Sequence, residues 1–251
     1  MESTAPQADI LEKPYRLERT SPSEAEELAL SLDPENTSQA YKDVLSLSEL
    51  NTVRAFAAPK RQRDWLAGRL AAKRLMSWAL AQEGTYLKQP QIEILNRESG
   101  EPYVRLPEHP EFTRFPLSLS HSVAGGAAAI AGPGHLVGVD LETVAPRDKS
   151  FLEMMAHDSE WDSTMATDFF EQTRLWTLKE AVAKLLGVGF TVGFHDVRFP
   201  LVGGDARKLE LHGKAAERWE ALGRPVIQFD STTDDSDVLS IAYTTGEVPH
   251  V

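Results

Sequence analysis

The sequence predicts an α+β protein in which one pattern is used twice. Two long stretches carry apolar residues at helical spacing, one from about Arg61 to Gln82 and one ending at Gly187, and each is accompanied by several short stretches with strand alternation. The turn Gly132-Pro133-Gly134 separates them and divides the chain into an N-terminal half, residues 1–132, and a C-terminal half, residues 133–251. No internal repeat is legible residue by residue, so the doubling is one of architecture.

The chain to about Arg19 is rich in Pro, Glu and Gln and reads as a loose lead or as an edge strand around Tyr15-Arg16-Leu17. Ser23 to Leu32 predicts a short helix with Glu24, Glu26 and Glu27 near its positive end, stopped by Asp33-Pro34. Ser48 is the expected cap of a helix through Leu50, Val53 and Phe56, which Pro59 breaks. The long helix that follows places Leu66, Leu70 and Met76 on its core face, with Gly68 inside it at a cost of about 1 kcal/mol relative to Ala. Such a glycine implies close packing or a close ligand. Strands are then expected at Gln91 to Leu95, Pro102 to Leu106, Pro116 to Ser120 and Gly126 to Ala131.

The second half opens with a strand from His135 to Glu142, followed by a helix from Asp148 to Ala156. Asp168 caps the second long helix, in which Leu175, Leu178, Val182, Leu185 and Leu186 recur at core spacing before the stop at Gly187. Strand-like runs at His195 to Phe199, Lys208 to His212, Val226 to Phe229 and Val238 to Tyr243 complete the half. A helix near Lys214 to Ala221 separates two of them, and the tail from Thr244 to Val251 is expected to be loose.

Composition narrows the function. With 251 residues, 41% hydrophobic and 25% charged, the chain is long enough to bury a real core. No apolar run is long enough to span a bilayer, and Met1 to Pro6 lack the basic start and apolar centre of a signal peptide, so a cytoplasmic protein without a membrane partner is expected. The absence of cysteine excludes disulfides, thiolate nucleophiles and thiolate metal sites. A metal must then be held by carboxylates or by the seven histidines, and carboxylate oxygen favours a hard ion such as Mg²⁺. A net charge of -12 argues against a nucleic-acid partner, although a local basic patch can still take one anion.

Four stretches carry candidate chemistry. Lys60, Arg61, Arg63, Arg69, Lys73 and Arg74 gather around a single local acid, Asp64, which reads as a solvated helix face or as an anion site. Ser120-His121 ends a strand, where a histidine between hydroxyls either satisfies itself or donates to a phosphate; Gly-x-Ser-x-Gly is absent, so a serine hydrolase is set aside. Gly138-Val139-Asp140-Leu141-Glu142 puts two carboxylates on one strand face, where they repel unless a cation or several donors compensate them. Trp176 to Phe190 holds Lys179, Glu180 and Lys184 in an otherwise apolar helix. Glu180 and Lys184, four apart, taken alone read as a surface ion pair.

In that order and at that separation, the four stretches resemble the Sfp-type 4′-phosphopantetheinyl transferase family. The likeness runs from about Lys60 to Phe190 and rests above all on Gly-Val-Asp-Leu-Glu followed by Trp-x-x-Lys-Glu-Ala-x-x-Lys. It implies a monomeric pseudo-dimer of two similar α+β halves with the active site in the cleft between them. It further implies transfer of the 4′-phosphopantetheine arm of coenzyme A to a serine of an apo acyl- or peptidyl-carrier protein, with release of 3′,5′-ADP. By the same resemblance, Asp140, Glu142 and Glu180 hold Mg²⁺ against the pyrophosphate, and Lys184 contacts the phosphates. Ser120 and His121 meet the nucleotide phosphate region, and Lys60 and Arg63 meet the 3′-phosphate side. Glu180 is the candidate base for the carrier serine, with Glu142 the alternative, and Lys179 stabilises the site or the nucleotide.

One position departs from the family. Many members read Gly-Lys-Pro before the Ser-His strand, with the lysine facing the coenzyme; here the turn is Gly100-Glu101-Pro102, so either Glu101 points away or Lys60, Arg63 and Arg69 hold the anion instead. Carrier docking is expected on the stretch between Thr143 and Phe170, where Phe151, Met154, Met155, Trp161 and Met165 are either partly exposed or ordinary core. The competing functions are a metal-dependent phosphohydrolase or nucleotidyltransferase using the same acids, and a non-catalytic adaptor that binds coenzyme A or a carrier.

Overall fold

A computed structural model describes residues 14–162, 165–189, 193–203, 206–234 and 236–248. The expectations for the lead before residue 14, for Phe190 and for the last residues of the tail lie outside the described residues. The chain divides into two compact units, Met1–Pro133 and Gly134–Val251.

The first unit begins with β1 (Tyr15–Thr20) and α1 (Pro22–Leu30), then α2 (Tyr41–Val44), α3 (Leu47–Arg54) and the 24-residue α4 (Pro59–Gln82). A hairpin of β2 (Glu93–Asn96) and β3 (Pro102–Arg105) follows, and β4 (Leu117–Ser122) and β5 (Gly125–Ala131) close the unit. Its main sheet has the order β1-β5-β4 and is antiparallel throughout. Every residue of the small-residue strand β5 is buried, and α4 lies across it. Leu75, Met76 and Leu80 of α4 pack with Ile92, Ile94, Val104, Phe112 and Ile130 to form the core.

The second unit runs β6 (Val137–Thr143), α5 (Lys149–Met155), α6 (Phe169–Leu186), β7 (Val197–Arg198), β8 (Leu201–Gly203), β9 (Ala206–Arg207), β10 (Glu210–Leu211), α7 (Gly213–Ala221), β11 (Ile227–Thr233) and β12 (Asp237–Thr244). Its main sheet has the order β11-β12-β6, again antiparallel, with small ladders β10-β7 and β8-β9 beside it. The two sheets share one plan: the unit's first strand lies at one edge, its last strand in the centre and its penultimate strand at the other edge. In each unit the long helix packs on that sheet.

Local sequence explains α6. Asp168 accepts a hydrogen bond from the Glu171 N–H at 3.0 Å, and Gly187 ends the helix in the left-handed region with φ 66. The cap of α3 is Ser46 rather than Ser48, because Ser46-Leu47-Ser48-Glu49 forms a reciprocal capping box, with the Ser46 N–H donating to Glu49 and the Glu49 N–H to Ser46. The strand expected at His195 to Phe199 is shorter, since a 3-10 turn at Phe194–Asp196 takes its first residues. Met155 and Met165 belong to the core of the second unit, with Phe151 and Trp161 packed against it; of the five residues considered for docking, Met154 is exposed.

Candidate active site

Gly138 sets the spacing between β6 and α6. A β-carbon at this position would lie 1.9 Å from the Ala181 carbonyl oxygen and 2.6 Å from the Leu185 nitrogen, so only glycine lets the helix backbone rest on the strand. Strand alternation turns Gly138, Asp140 and Glu142 to the same face. Trp176, Glu180 and Lys184 recur every four residues along α6 and meet that face.

The contacts run in sequence along the two elements. The Trp176 Nε1–H points at Glu142 Oε1 at 3.5 Å, the Lys184 ammonium donates to Asp140 Oδ1 at 2.7 Å and to the Val139 carbonyl at 3.1 Å, and Glu180 lies between them. Arg147, on the segment after β6, brings its guanidinium 3.9 Å from Glu142 and stacks over Phe151. Thr177 exchanges a 2.6 Å hydrogen bond with Ser240, which sits opposite Asp140 in the sheet register. Helix α6 is therefore tied to β6 through Trp176 and Lys184 and to β12 through Thr177.

Electrostatics mark these carboxylates. Burial pushes the Glu180 carboxyl up, the charge of Asp140 pushes it further, and Lys184 opposes them. Glu142 is raised for the same two reasons, burial first and Asp140 second, against Arg147 and Trp176. Such a group of hard oxygens, short of positive charge, suits a divalent ion by its chemistry. The three acids do not yet converge on one point, since among the described residues no three acidic or histidine side chains are gathered as metal ligands. A pocket of about 130 Å³ opens beside Glu180, lined by Lys179, Ala183, Gly189, Gly193, Phe194 and Val197.

Lys179 follows a different course. One residue before Glu180, it points about 100° around the helix, is only 3% exposed, and uses its three protons on Glu160 and the carbonyls of Phe194 and Val197. It is a buried cation whose head ties Glu160 and residues 194 and 197 to α6, at the wall of the same pocket.

In the first unit, the basic stretch of α4 is largely answered by acids distant in sequence. Lys60 pairs with Asp64 at 2.8 Å, Arg63 with Glu26 at 2.7 Å, Arg74 with Glu24 at 2.6 Å and Lys73 with Glu49 at 2.7 Å. Arg69 is buried, bonded to Asn96 and set over the Trp65 ring at 4.5 Å, and burial lowers its pKa to about 10. Its guanidinium turns inward to Asn96. Lys60 and Arg63 keep exposed side chains, and surface pairs of this kind exchange partners at little cost. Ser120 is buried and His121 exposed at the end of β4, and Gly68 of α4 faces both, a β-carbon there meeting the Ser120 carbonyl at 3.6 Å and His121 at 3.8 Å. Glu101 turns to Arg97, 3.7 Å away, on an exposed turn.

Gly138 and Arg147 join the site without a role expected from the sequence. The glycine two residues before the first acid was a legible signal. Arg147 is legible only as the first cation after the acidic pair.

Comparison with known proteins matches residues 136–229 to the model of the 4′-phosphopantetheinyl transferase superfamily. Relatives include a 4′-phosphopantetheinyl transferase of Aneurinibacillus migulanus, 30% identical over 42% of this chain and 44% of its own length. One from Bacillus pumilus is 27% identical over 66% of this chain and 70% of its own. A holo-[acyl-carrier-protein] synthase of Lactococcus lactis is 38% identical over 32% of this chain and 67% of its own. The chain thus spans under half the length of the first relative and about two thirds of the others.

Proposed function

As the chain belongs to the 4′-phosphopantetheinyl transferase superfamily, we propose that it moves the 4′-phosphopantetheine arm of coenzyme A to a serine of an apo acyl- or peptidyl-carrier protein and releases 3′,5′-ADP. The observation that carries this reading is the meeting of Asp140 and Glu142 on β6 with Glu180 and Lys184 on α6, all inside the matched segment.

The chemistry asks for charge placement more than covalent catalysis. The serine oxygen forms a bond to the phosphorus that bears the pantetheine arm, the bond from that phosphorus to the nucleotide breaks, and its electron pair leaves with 3′,5′-ADP. Glu180 takes the serine proton on a carboxylate oxygen, with Glu142 the alternative acceptor. Lys184 supplies a fixed positive charge beside the acids for the pyrophosphate. Asp140, Glu142 and Glu180 would hold Mg²⁺, which when bound neutralises pyrophosphate charge and polarises the phosphoryl group. Ser120, His121, Lys60 and Arg63 are proposed for the nucleotide phosphates, Lys60 and Arg63 by releasing their surface acids.

The test is incubation with coenzyme A, Mg²⁺ and a panel of purified apo-carriers, read by intact mass. One or more carriers should gain the phosphopantetheine mass at the expected serine. Hydrolysis of coenzyme A with no carrier modified would instead indicate a phosphohydrolase, and binding with no turnover an adaptor.

A further inference from the structure

The two units contain the same buried device, although nothing in their aligned residues announces it. In the second unit the Lys179 ammonium donates to Glu160 Oε2 at 2.8 Å, to the Phe194 carbonyl at 2.9 Å and to the Val197 carbonyl at 2.8 Å. Glu160 in turn accepts the N–H of His157 at 2.7 Å and of Phe199 at 2.6 Å. In the first unit the Lys73 ammonium pairs with Glu49 Oε2 at 2.7 Å and donates to the carbonyls of Gln89, at 2.9 Å, and Ile92, at 2.5 Å. Glu49 accepts the N–H of Ser46 at 2.8 Å and of Ile94 at 3.0 Å.

The spacings coincide. Each glutamate takes the N–H three residues before it, each lysine takes two carbonyls three residues apart, and the glutamate's second N–H lies two residues beyond. Both pairs are sealed, with side-chain exposures of 0% and 0% for Lys73 and Glu49 and of 3% and 0% for Lys179 and Glu160. Each lysine sits on the long helix that covers a sheet of the same strand order. A buried ion pair satisfied this fully is a fold-specifying tie, and removing one partner strands a charge in the core.

The copies differ in what stands next to them. After Lys73 comes Arg74, engaged with Glu24 at 2.6 Å. After Lys179 comes Glu180, and the residues whose carbonyls Lys179 holds, Phe194 and Val197, line the pocket beside it. We propose that Lys179 and Glu160 are a positioning pair that clamps residues 193–199 to α6 and so fixes the pocket wall facing Glu180, while the Lys73–Glu49 copy serves stability alone. The pair acts through that wall and does not touch substrate. This rests on the placement of Glu180 at the reacting centre.

The first unit supplies the control. Lys179→Met and Glu160→Gln are compared with Lys73→Met and Glu49→Gln in the full chain, with melting midpoints, amide exchange across residues 193–199, and kcat and KM measured well below each midpoint. Midpoints should fall in both sets. Exchange across 193–199 should rise, by about tenfold or more, in the second-unit variants alone. Their kcat should fall by about tenfold or more, with KM for coenzyme A little changed. Glu160→Gln decides the matter if Lys179→Met does not fold. Unchanged exchange across 193–199, or an equal loss of kcat in Glu49→Gln, overturns the proposal. Loss of kcat in Lys179→Met with none in Glu160→Gln also overturns it, in favour of direct catalysis by the lysine. Wild-type protein that transfers nothing contradicts the transferase reading instead, and the clamp then stands or falls on the exchange result alone.

Discussion

Gly138→Ala places one methyl group where the backbones of β6 and α6 touch. The new β-carbon would sit 1.9 Å from the Ala181 carbonyl oxygen and 2.6 Å from the Leu185 nitrogen, both backbone atoms that cannot rotate away. Restoring an ordinary 3.4 Å contact needs about 1.5 Å of separation between β6 and α6. Overpacking of this kind costs about 1–3 kcal/mol, and the rigid backbone on both sides puts this site at the upper end, near 3 kcal/mol. The same movement carries Glu180 and Lys184 away from Asp140, now 2.7 Å from the lysine. Misplacement of about 1 Å can lower turnover about a hundredfold. Urea denaturation measures the first effect, and carrier modification by mass spectrometry, under conditions where the variant is folded, measures the second. A Gly138→Ala protein with wild-type stability and turnover would refute the claim that backbone contact at this glycine sets the site.

Three further perturbations test separate parts of the structure. Gly68→Ala should be neutral or stabilising by up to about 1 kcal/mol, because its β-carbon meets Ser120 and His121 at ordinary contact distance and alanine favours the helix; a loss of more than that size in urea denaturation contradicts the packing described. Hydrogen bonding from Arg74, with the Ser21 N–H assisting, holds the Glu24 carboxyl down from 4.5 to about 2, so its contribution to stability is complete above pH 4.5 and is lost as pH falls toward 2. Glu24→Gln should therefore flatten the dependence of the urea midpoint on pH in that window, and an unchanged slope contradicts the pairing. Mg²⁺ at a hundred times its dissociation constant should stabilise the protein by about 2.7 kcal/mol, and Asp140→Asn should remove most of that gain; an equal gain in both proteins contradicts the proposed donor set.

Features fixed by local chemistry were legible in the sequence. Asp168 and Gly187 bracket α6 because a cap and a left-handed stop depend on a few neighbouring residues. The shared face of Asp140 and Glu142 follows from strand alternation alone. What depended on distant partners was hidden. The cations of α4 look unanswered along the chain because their acids, Glu24, Glu26 and Glu49, precede them by 24 residues or so in sequence and more in some cases. Lys179 and Glu180 are adjacent in sequence, but a step of about 100° around the helix sends one into the core and the other toward Asp140. The duplicated clamp is equally silent, since four of the five ties in each copy are made by backbone carbonyls and N–H groups, which any sequence supplies.

Glu180 is proposed to stand on α6 as a reacting carboxylate and not as half of a surface ion pair. Glu180→Gln tests it most directly, with an apo-carrier modified by the wild-type protein in the presence of coenzyme A and Mg²⁺, and with melting measured on the same samples. The variant should fold with an unchanged or raised midpoint, because burial already disfavours the charged carboxylate, and the carrier should gain no mass. A folded Glu180→Gln protein that modifies the carrier at the wild-type rate would contradict the proposal.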